Sequence, residues 1–264
     1  MIDPSATIHP SAVVEDGARI GAGARVGPFC LVGPQAALDE GVVLKSHVVV
    51  AGDTAIGAGT VVFPFSVIGE VPQDLKFAGE RSRLRIGARN RIREHVTMNL
   101  GTAGGGGETV VGDDGLFMAG CHVAHDARVG DRVILVNNVA VAGHVVIEDD
   151  VIVGGLSGIH QWVRIGRGAI VGALSMVTAD VLPHGLVQGP RAQLEGLNLV
   201  GLKRRGVDRS EIQELRGALQ MLRQGEGTFA ERARRLTDEY HGAHVADLVR
   251  FVTADSDRHF LVPR

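Results

Sequence analysis

Cysteine is scarce in this sequence of 264 residues, and long apolar runs are missing. Two cysteines, Cys30 and Cys121, are too few for a disulfide framework and fit a reducing compartment. No stretch reaches the roughly 18 to 20 uninterrupted apolar residues of a membrane span. Residues 1–10 lack the basic segment and apolar core of a secretion signal. We therefore expect a cytoplasmic protein that does not cross a membrane.

The chain also has few aromatic side chains and no excess of positive charge. Phe, Trp and Tyr make up 4% of the chain, whereas there are 37 glycines. This composition suits small aliphatic side chains stacked in layers better than a core of large rings. The 27 basic and 30 acidic residues give a net charge of −3, which provides no reason to expect nucleic acid as the main partner.

An apolar residue recurs at every sixth position over most of the chain. This core series covers residues 2–68, 86–98 and 111–177. A period of six fits neither a helix nor a two-sided strand, and it is typical of hexapeptide repeats that wind a parallel β-helix. Three hexapeptides close a coil of about 18 residues, with the apolar side chain inside and glycine at tight corners. The sequence therefore predicts a mainly β protein built on a β-helix.

Two interruptions of the core series predict excursion loops. In the segment 69–85, Asp74 and Glu80 occupy core-series positions, and we expect this loop to replace one coil. The glycine-rich segment 99–110 adds one residue to the phase. Loops that leave a rigid scaffold often carry functional residues.

The period changes in the last third of the chain. Helix spacing replaces the core series, with apolar residues at Ile212, Leu215, Leu219 and Leu222 and with Asp208 or Ser210 as the N-cap. Further helices are expected around 228–240 and 243–254. We predict a β-helix over residues 1–190 and a small C-terminal α-helical domain over 191–264.

Four histidines fall on one edge of the predicted β-helix. Because residues about 18 apart stack on neighbouring coils, His125 lies over position 143 and close to His144. The complete set is His122, His125, His144 and His160, with Asp126 after the second and Gln161 after the last.

The residues alone leave three hypotheses for this edge. In the first hypothesis, the histidines are surface polar residues of a non-catalytic scaffold. In the second, His122, His125 and His144 bind zinc as in γ-carbonic anhydrases. In the third hypothesis, His125 is a general base for acyl transfer, and Asp126 fixes its tautomer. A general base needs no covalent nucleophile.

The chain resembles one family in sequence from end to end. The hexapeptide repeat is similar to that of acyltransferases with a left-handed β-helix. More specific stretches resemble UDP-N-acetylglucosamine O-acyltransferases, namely GPFCLVGP (27–34), LKSHVVV (44–50), IGEVPQDLKFAGE (68–80), RNRIREHVTMN (89–99), HVAHDARVG (122–130), NNVAVAGHV (137–145), IHQW (159–162) and GLNLVGLKRRG (196–206).

This resemblance implies a role for each matched residue. The general base is expected at His125, supported by Asp126, and the peptide N–H of Gly143 is expected to stabilise the oxyanion. Contacts with the glucosamine or the acyl 3-hydroxyl are expected from Asp74, Lys76, His122, His144, His160 and Gln161. Contacts with the uridine diphosphate are expected from Asn198, Arg204 and Arg205, and Ala173 is expected to limit acyl-chain length.

The resemblance also implies the reaction and the partners. We expect transfer of an (R)-3-hydroxyacyl chain from acyl carrier protein to the 3-hydroxyl of UDP-N-acetylglucosamine, in lipid A biosynthesis, without a metal or organic cofactor. Family members are homotrimers with sites between subunits. An alternative is 3-N-acylation of the 3-amino analogue of the sugar nucleotide. Asn99, Leu100, Arg191 and Val200 depart from the family pattern at expected nucleotide contacts.

Overall fold

The computed structural model describes residues 1–256 and 258–261, which form a left-handed parallel β-helix followed by four α-helices. The strands form three sheets, one on each side of a prism. Sheet 1 contains β1 (Thr7–Ile8), β4 (Arg25–Val26), β7 (Val43–Leu44), β10 (Val61–Val62), β13 (Arg91–Ile92), β16 (Leu116–Phe117), β19 (Ile134–Leu135), β22 (Ile152–Val153), β25 (Ile170–Val171), β27 (Gly185–Gln188) and β28 (Gln193–Leu197).

The other two sheets complete each coil. Sheet 2 contains β2 (Val13–Val14), β5 (Leu31–Val32), β8 (Val49–Val50), β11 (Val67–Glu70), β14 (Thr97–Asn99), β17 (His122–Val123), β20 (Ala140–Val141), β23 (Gly158–Ile159) and β26 (Met176–Val177). Sheet 3 contains β3 (Arg19–Ile20), β6 (Ala37–Leu38), β9 (Asp53–Ile56), β12 (Arg83–Ile86), β15 (Glu108–Val111), β18 (Arg128–Val129), β21 (Val146–Ile147) and β24 (Arg164–Ile165).

The core series fills the interior of the prism, which confirms the predicted β-helix. Val123, Val129 and Leu135 belong to three successive strands, and each is at most 3% exposed. In uninterrupted coils, paired residues are 18 apart, as Val123 and Val141 are. Burying these side chains removes apolar surface from water on every layer, at about 25 cal/mol per Å². The period of six thus records which residues point inward.

The prism has three corners, and their backbone is left-handed. We call the corner between sheets 2 and 3 the histidine corner, because Asp126, His144 and Trp162 stack there in successive coils with φ values of 60°, 61° and 66°. The corner between sheets 1 and 2 is the aromatic corner, and the corner between sheets 3 and 1 is the third corner. The left-handed conformation costs a residue other than glycine about 1–2 kcal/mol. Backbone hydrogen bonds between coils, such as His144 N to His125 O at 3.1 Å, hold it.

Both excursion loops leave the prism at the histidine corner. The first loop, residues 71–82, separates β11 from β12, and Ile56 therefore pairs with Ile86, 30 residues later. The expectation that this loop replaces a coil is wrong, because the loop is inserted into one corner and the stacking of coils continues around it. The second loop, residues 100–107, contains a short 3₁₀ helix, Ala103–Gly105. Ile86 pairs with Val111, which agrees with the predicted shift of one residue in phase.

Helices follow the last strands. They are α1 (Leu199–Arg204), α2 (Arg209–Gln224), α3 (Phe229–Glu239) and α4 (Ala243–Thr253). Asp208 is the N-cap residue of α2, as one of the two expectations had it. Because β27 and β28 form an antiparallel pair, the expected boundary at 190/191 falls between two strands of sheet 1, and the division into two domains stays a proposal. Within residues 1–256 and 258–261, no helix has the length and apolarity to cross a membrane.

The segment after α4 returns to the β-helix. Asp180 N donates to His259 O and Leu261 N donates to Asp180 O, both at 2.8 Å. The fully buried Asp180 carboxylate also accepts hydrogen bonds from Arg164 Nε at 2.7 Å and from Ser256 Oγ at 2.8 Å. A buried charge needs such partners, so these contacts hold Ser256, His259 and Leu261 against the last coils.

One buried histidine joins the third corner to the helices. His184 is 1% exposed, and its ring lies edge-on to His244 of α4 at a centroid distance of 4.9 Å. Its Nδ1 is 3.3 Å from Arg205 Nη2, and a guanidinium is only a donor, so Nδ1 accepts. Burial lowers the pKa of His184 to about 3, and the nearby charges of His244 and Arg205 act in the same direction. The native packing therefore requires a neutral ring.

The stability of the fold should fall in mild acid because of His184. At pH values between 6.5, the ordinary pKa of histidine, and about 3, the unfolded chain binds a proton at His184 that the native chain does not. The free energy of unfolding therefore falls by about 1.4 kcal/mol per pH unit below 6.5, and by about 2 kcal/mol at pH 5. Melting temperatures at pH 7.5 and pH 5 should differ less for His184→Asn than for the native chain. Asparagine tolerates the left-handed φ of 58° at this position. An equal difference in both proteins would contradict the assignment.

Candidate active site

The histidine corner gathers most of the residues expected to act on substrate. It carries His125, Asp126 and His144 from successive coils, and the two excursion loops leave the prism on the coils just before them. Asp74 and Lys76 lie on the first loop, and the charges of both side chains act on the His144 ring. The fold thus brings together residues that are up to about a quarter of the chain apart, from Asp74 to His144.

His125 and Asp126 form a buried pair. His125 Nδ1 lies 2.8 Å from Asp126 Oδ2, and the two side chains are 6% and 1% exposed. A carboxylate only accepts hydrogen bonds, so Nδ1 carries the proton and Nε2 presents a lone pair. The left-handed conformation of Asp126 at the corner turns its side chain back toward its neighbour. This arrangement suits a general base whose tautomer is held by a carboxylate.

Gly143 lies directly against the His125 ring. A Cβ on Gly143 would be 2.5 Å from His125 Cε1 and 2.6 Å from Nε2, closer than any real contact. In residues 1–256 and 258–261, no acceptor receives a hydrogen bond from the Gly143 N–H. A peptide donor beside the base is what stabilisation of a developing oxyanion requires.

Two further histidines flank the pair. His144 Nδ1 is 3.8 Å from Asp126 Oδ2, and its ring stacks on Trp162 at a centroid distance of 3.8 Å. His122 Nδ1 lies 2.8 Å from Thr97 Oγ1. Burial lowers the pKa of both histidines. Both rings are therefore suited to hydrogen bonding as neutral groups near pH 7.

A groove of about 430 Å³ opens beside the pair over sheet 2. His122, His125, Gly143, His160 and Gln161 all line it. It is also lined by Gln73 and Met176, which were not among the residues expected from the sequence. The stacking predicted from residues about 18 apart therefore places five expected residues on one surface.

Other expected residues lie elsewhere in the same chain. Asn198 caps α1 through Gly201 N at 2.9 Å, and its amide donates to Gly168 O at the third corner. Arg205 reaches His184 at that corner, and Arg204 is exposed on α1. Ala173 is exposed at the aromatic corner, across sheet 2 from His125. One chain does not bring these residues to the His125 groove.

Trp162 and Arg258 are site residues that sequence reasoning missed. Trp162 is 36 residues after Asp126, so its place in the column could have been found by the same stacking rule. Arg258 Nη2 donates to Gln161 O at 2.9 Å and lies 3.0 Å from His160 Nδ1. No repeat signal links Arg258 to these residues, since it follows the last helix.

Each of His125, Asp126 and His144 has an atom that could ligate a metal ion, and these atoms all lie within 4.8 Å of one another. The set differs from the three histidines of the zinc hypothesis, because His122 is paired with Thr97 instead. His125 Nδ1 and Asp126 are already hydrogen-bonded to each other. The donor set therefore fits a hydrogen-bonded pair better than a three-histidine zinc site.

Comparison with known proteins gives one consistent relationship. Residues 180–261 match the family model described as Udp N-acetylglucosamine O-acyltransferase, domain 2. A protein of Paracoccus denitrificans (strain Pd 1222), named acyl-(acyl-carrier-protein)–UDP-N-acetylglucosamine O-acyltransferase, is 67% identical over 203 residues, 77% of each chain. The protein of the same name from Rhizobium leguminosarum bv. trifolii (strain WSM2304) is 52% identical over 222 residues, 84% of this chain and 82% of its own.

Solved structures agree with the sequence matches. The UDP-N-acetylglucosamine acyltransferase of Campylobacter jejuni superposes with a TM-score of 0.91 at 37% identity, covering 98% of this chain and 100% of that one. The Arabidopsis UDP-N-acetylglucosamine acyltransferase superposes with a TM-score of 0.81 at 33% identity, covering 99% and 100%. The similarity therefore extends over both the β-helix and the helices.

Replacing Gly143 by alanine should damage the site without unfolding the protein. The added Cβ would overlap the His125 ring, so the ring must tilt and turnover should fall at least about 100-fold, as misplacement by about 1 Å can cause. Gly33→Ala is the matched control, because the nearest atom to its Cβ is Val50 O at 3.4 Å. Steady-state rates and melting temperatures of both variants test this. Normal turnover of Gly143→Ala would contradict the placement of the ring.

Proposed function

This chain belongs to the family of acyl-carrier-protein-dependent UDP-N-acetylglucosamine O-acyltransferases, and on that premise we propose the reaction and the role of each residue. The enzyme transfers a 3-hydroxyacyl chain from acyl carrier protein to the 3-hydroxyl of UDP-N-acetylglucosamine, in the first step of lipid A biosynthesis. The observation that supports this most is the buried His125–Asp126 pair, with His125 and Gly143 lining one groove.

We propose that His125 is the general base. Its Nε2 takes the proton of the sugar 3-hydroxyl as that oxygen attacks the thioester carbonyl, and Asp126 stabilises the imidazolium that forms. The Gly143 N–H donates to the oxyanion of the tetrahedral intermediate. The intermediate then collapses, the C–S bond breaks, and His125 returns the proton to the leaving thiolate. No metal or organic cofactor is required by these steps.

Substrate binding is assigned to the groups around the pair. Asp74, Lys76, His122, His144 and Gln161 are proposed to hold the glucosamine and the acyl 3-hydroxyl, and His160 borders the same groove. The uridine diphosphate is assigned to Asn198, Arg204 and Arg205, and the acyl-length limit to Ala173. Guanidinium groups suit a diphosphate because they donate paired hydrogen bonds.

A complete site requires a second copy of the chain, and we propose a homotrimer. Asn198, Arg204 and Ala173 lie away from His125 within one chain, so a neighbouring subunit would have to supply them. Sheet 2 and the aromatic corner carry large exposed apolar side chains, namely Val13, Phe29, Leu31, Phe65, Leu156, Leu174 and Met176. An apolar face of this kind marks a protein contact.

The aromatic corner also has an ordered stack that suits such a contact. The rings of Phe29, His47, Phe65 and His95 follow one another with centroid distances of 4.9, 5.0 and 5.2 Å. Phe29 and Phe65 are 61% and 51% exposed in the single chain. We further propose a cytoplasmic location, in keeping with two buried free thiols.

The products should identify the reaction directly. Purified protein is given UDP-N-acetylglucosamine and 3-hydroxyacyl carrier proteins of several chain lengths, and mass spectrometry should detect an acylated nucleotide sugar whose linkage is cleaved by mild alkali. His125→Ala should keep its melting temperature and oligomeric state and lose about a hundred- to ten-thousandfold in turnover. His9→Ala is the control, because its ring is exposed and hydrogen-bonds to Ser11 near the start of the β-helix.

Each possible product outcome has a definite meaning. Retained turnover of His125→Ala would exclude it as the base. Product formed only with the 3-amino sugar nucleotide would replace O-acylation by N-acylation. Absence of product with either acceptor would overturn the proposed function.

The oligomeric state can be tested separately. Native mass spectrometry should give three times the chain mass of 27.8 kDa. Leu31→Arg places a charge on the exposed apolar face of β5 and should weaken the trimer and turnover together, whereas Arg25→Ala on sheet 1 should change neither. A monomer that retains full turnover would show that one chain forms the whole site.

A further inference from the structure

Asp126 is a buried carboxylate whose hydrogen bonds reach beyond His125. Its side chain is 1% exposed, and a charge at this depth is costly unless donors surround it. One oxygen, Oδ2, faces His125 Nδ1, and Asp126 N donates to Thr109 Oγ1 at 2.8 Å. The remaining donors come from the second excursion loop, which no step of the proposed mechanism uses.

Thr102 holds both oxygens of this carboxylate. Its N–H donates to Asp126 Oδ1 at 2.8 Å, and its hydroxyl donates to Oδ2 at 2.6 Å. Thr102 is itself 7% exposed and precedes the short 3₁₀ helix of the loop, whose Gly105 N donates to Thr102 O at 3.0 Å. Two hydrogen bonds from one residue fix the carboxylate plane as well as its position.

Gly105 lets the loop lie against the same carboxylate. A Cβ at this position would be 1.9 Å from Asp126 Cγ and 2.3 Å from each carboxylate oxygen. Because Thr102 and His125 hold these oxygens, the carboxylate has little freedom to move aside. The loop therefore packs directly against the Asp126 carboxylate.

The first excursion loop is tied to the second. Glu80 Oε1 accepts a hydrogen bond from Ala103 N at 3.0 Å, and this bond is the main reason that the pKa of Glu80 is lowered. Asp74 and Lys76 belong to the same loop as Glu80. A chain of hydrogen bonds therefore runs from the loop assigned to substrate, through residues 102–103, to Asp126.

We propose that Thr102 is a positioning residue for the catalytic pair, acting on His125 through Asp126. By fixing the plane of the carboxylate, it aims the Nδ1–H bond of His125 and so directs Nε2 at the sugar hydroxyl. Gly105 is the steric condition for this contact. The inference rests on the proposed function, in which His125 Nε2 takes the proton.

The test compares three variants of the full-length protein. Thr102→Val removes the hydroxyl and keeps shape and peptide N–H, and Thr102→Ser keeps the hydroxyl. Thr60→Val is the matched control, because Thr60 is a fully buried threonine at the third corner whose hydroxyl bonds to Gly87 O. We expect Thr102→Val to lower kcat about 10- to 100-fold with the KM for UDP-N-acetylglucosamine within about threefold. Thr102→Ser and Thr60→Val should keep kcat within about threefold of the native value.

A second readout does not depend on turnover. In crystal structures, Thr102→Val should rotate the Asp126 carboxylate and lengthen the 2.8 Å contact with His125 Nδ1, whereas Thr102→Ser should keep it. An undisturbed pair in Thr102→Val, or native kcat in that variant, would overturn the inference while leaving the proposed function in place. Absence of turnover in the native protein would overturn the proposed function, and the crystal structures would still decide the role of Thr102.

Discussion

Stacking of one coil on the next is the constraint on which the rest of the structure depends. Each coil buries its core-series residues on those of its neighbours, and backbone hydrogen bonds such as His144 N to His125 O lock the register. A slip of one residue would turn the apolar side chains outward. The same register carries outward-facing side chains into columns, so Asp126, His144 and Trp162 form a site as a consequence of how the core packs.

The left-handed corners connect this scaffold to chemistry. At the histidine corner, the positive φ of Asp126 lets two adjacent residues turn toward each other as a base and its carboxylate. The next coil supplies Gly143, whose missing side chain admits the His125 ring and which lines the groove. Strain at the corner is sustained because the coils above and below determine the backbone. Rigid placement of this kind is what a base acting on a bound hydroxyl requires.

The insertions are placed where they serve the site. Both excursion loops leave at the histidine corner, and after each loop a core-series residue again pairs with a core-series residue, Ile56 with Ile86 and Ile86 with Val111. Thr102 of the second loop hydrogen-bonds to Asp126, and Glu80 of the first loop accepts a hydrogen bond from the second loop. Asn198 and Ala173, which are assigned to the proposed site, lie away from the groove within one chain.

The sequence by itself determined the β-helix, because a period of six can only be satisfied by side chains that point into a three-sided core. It also determined the column of His125, Gly143 and Gln161, because uninterrupted coils stack residues 18 apart. Only the tertiary structure decided that residues 71–82 are inserted at one corner, and that Thr102 donates two hydrogen bonds to Asp126. Such contacts depend on how an aperiodic loop closes on distant residues, and no local pattern records that closure.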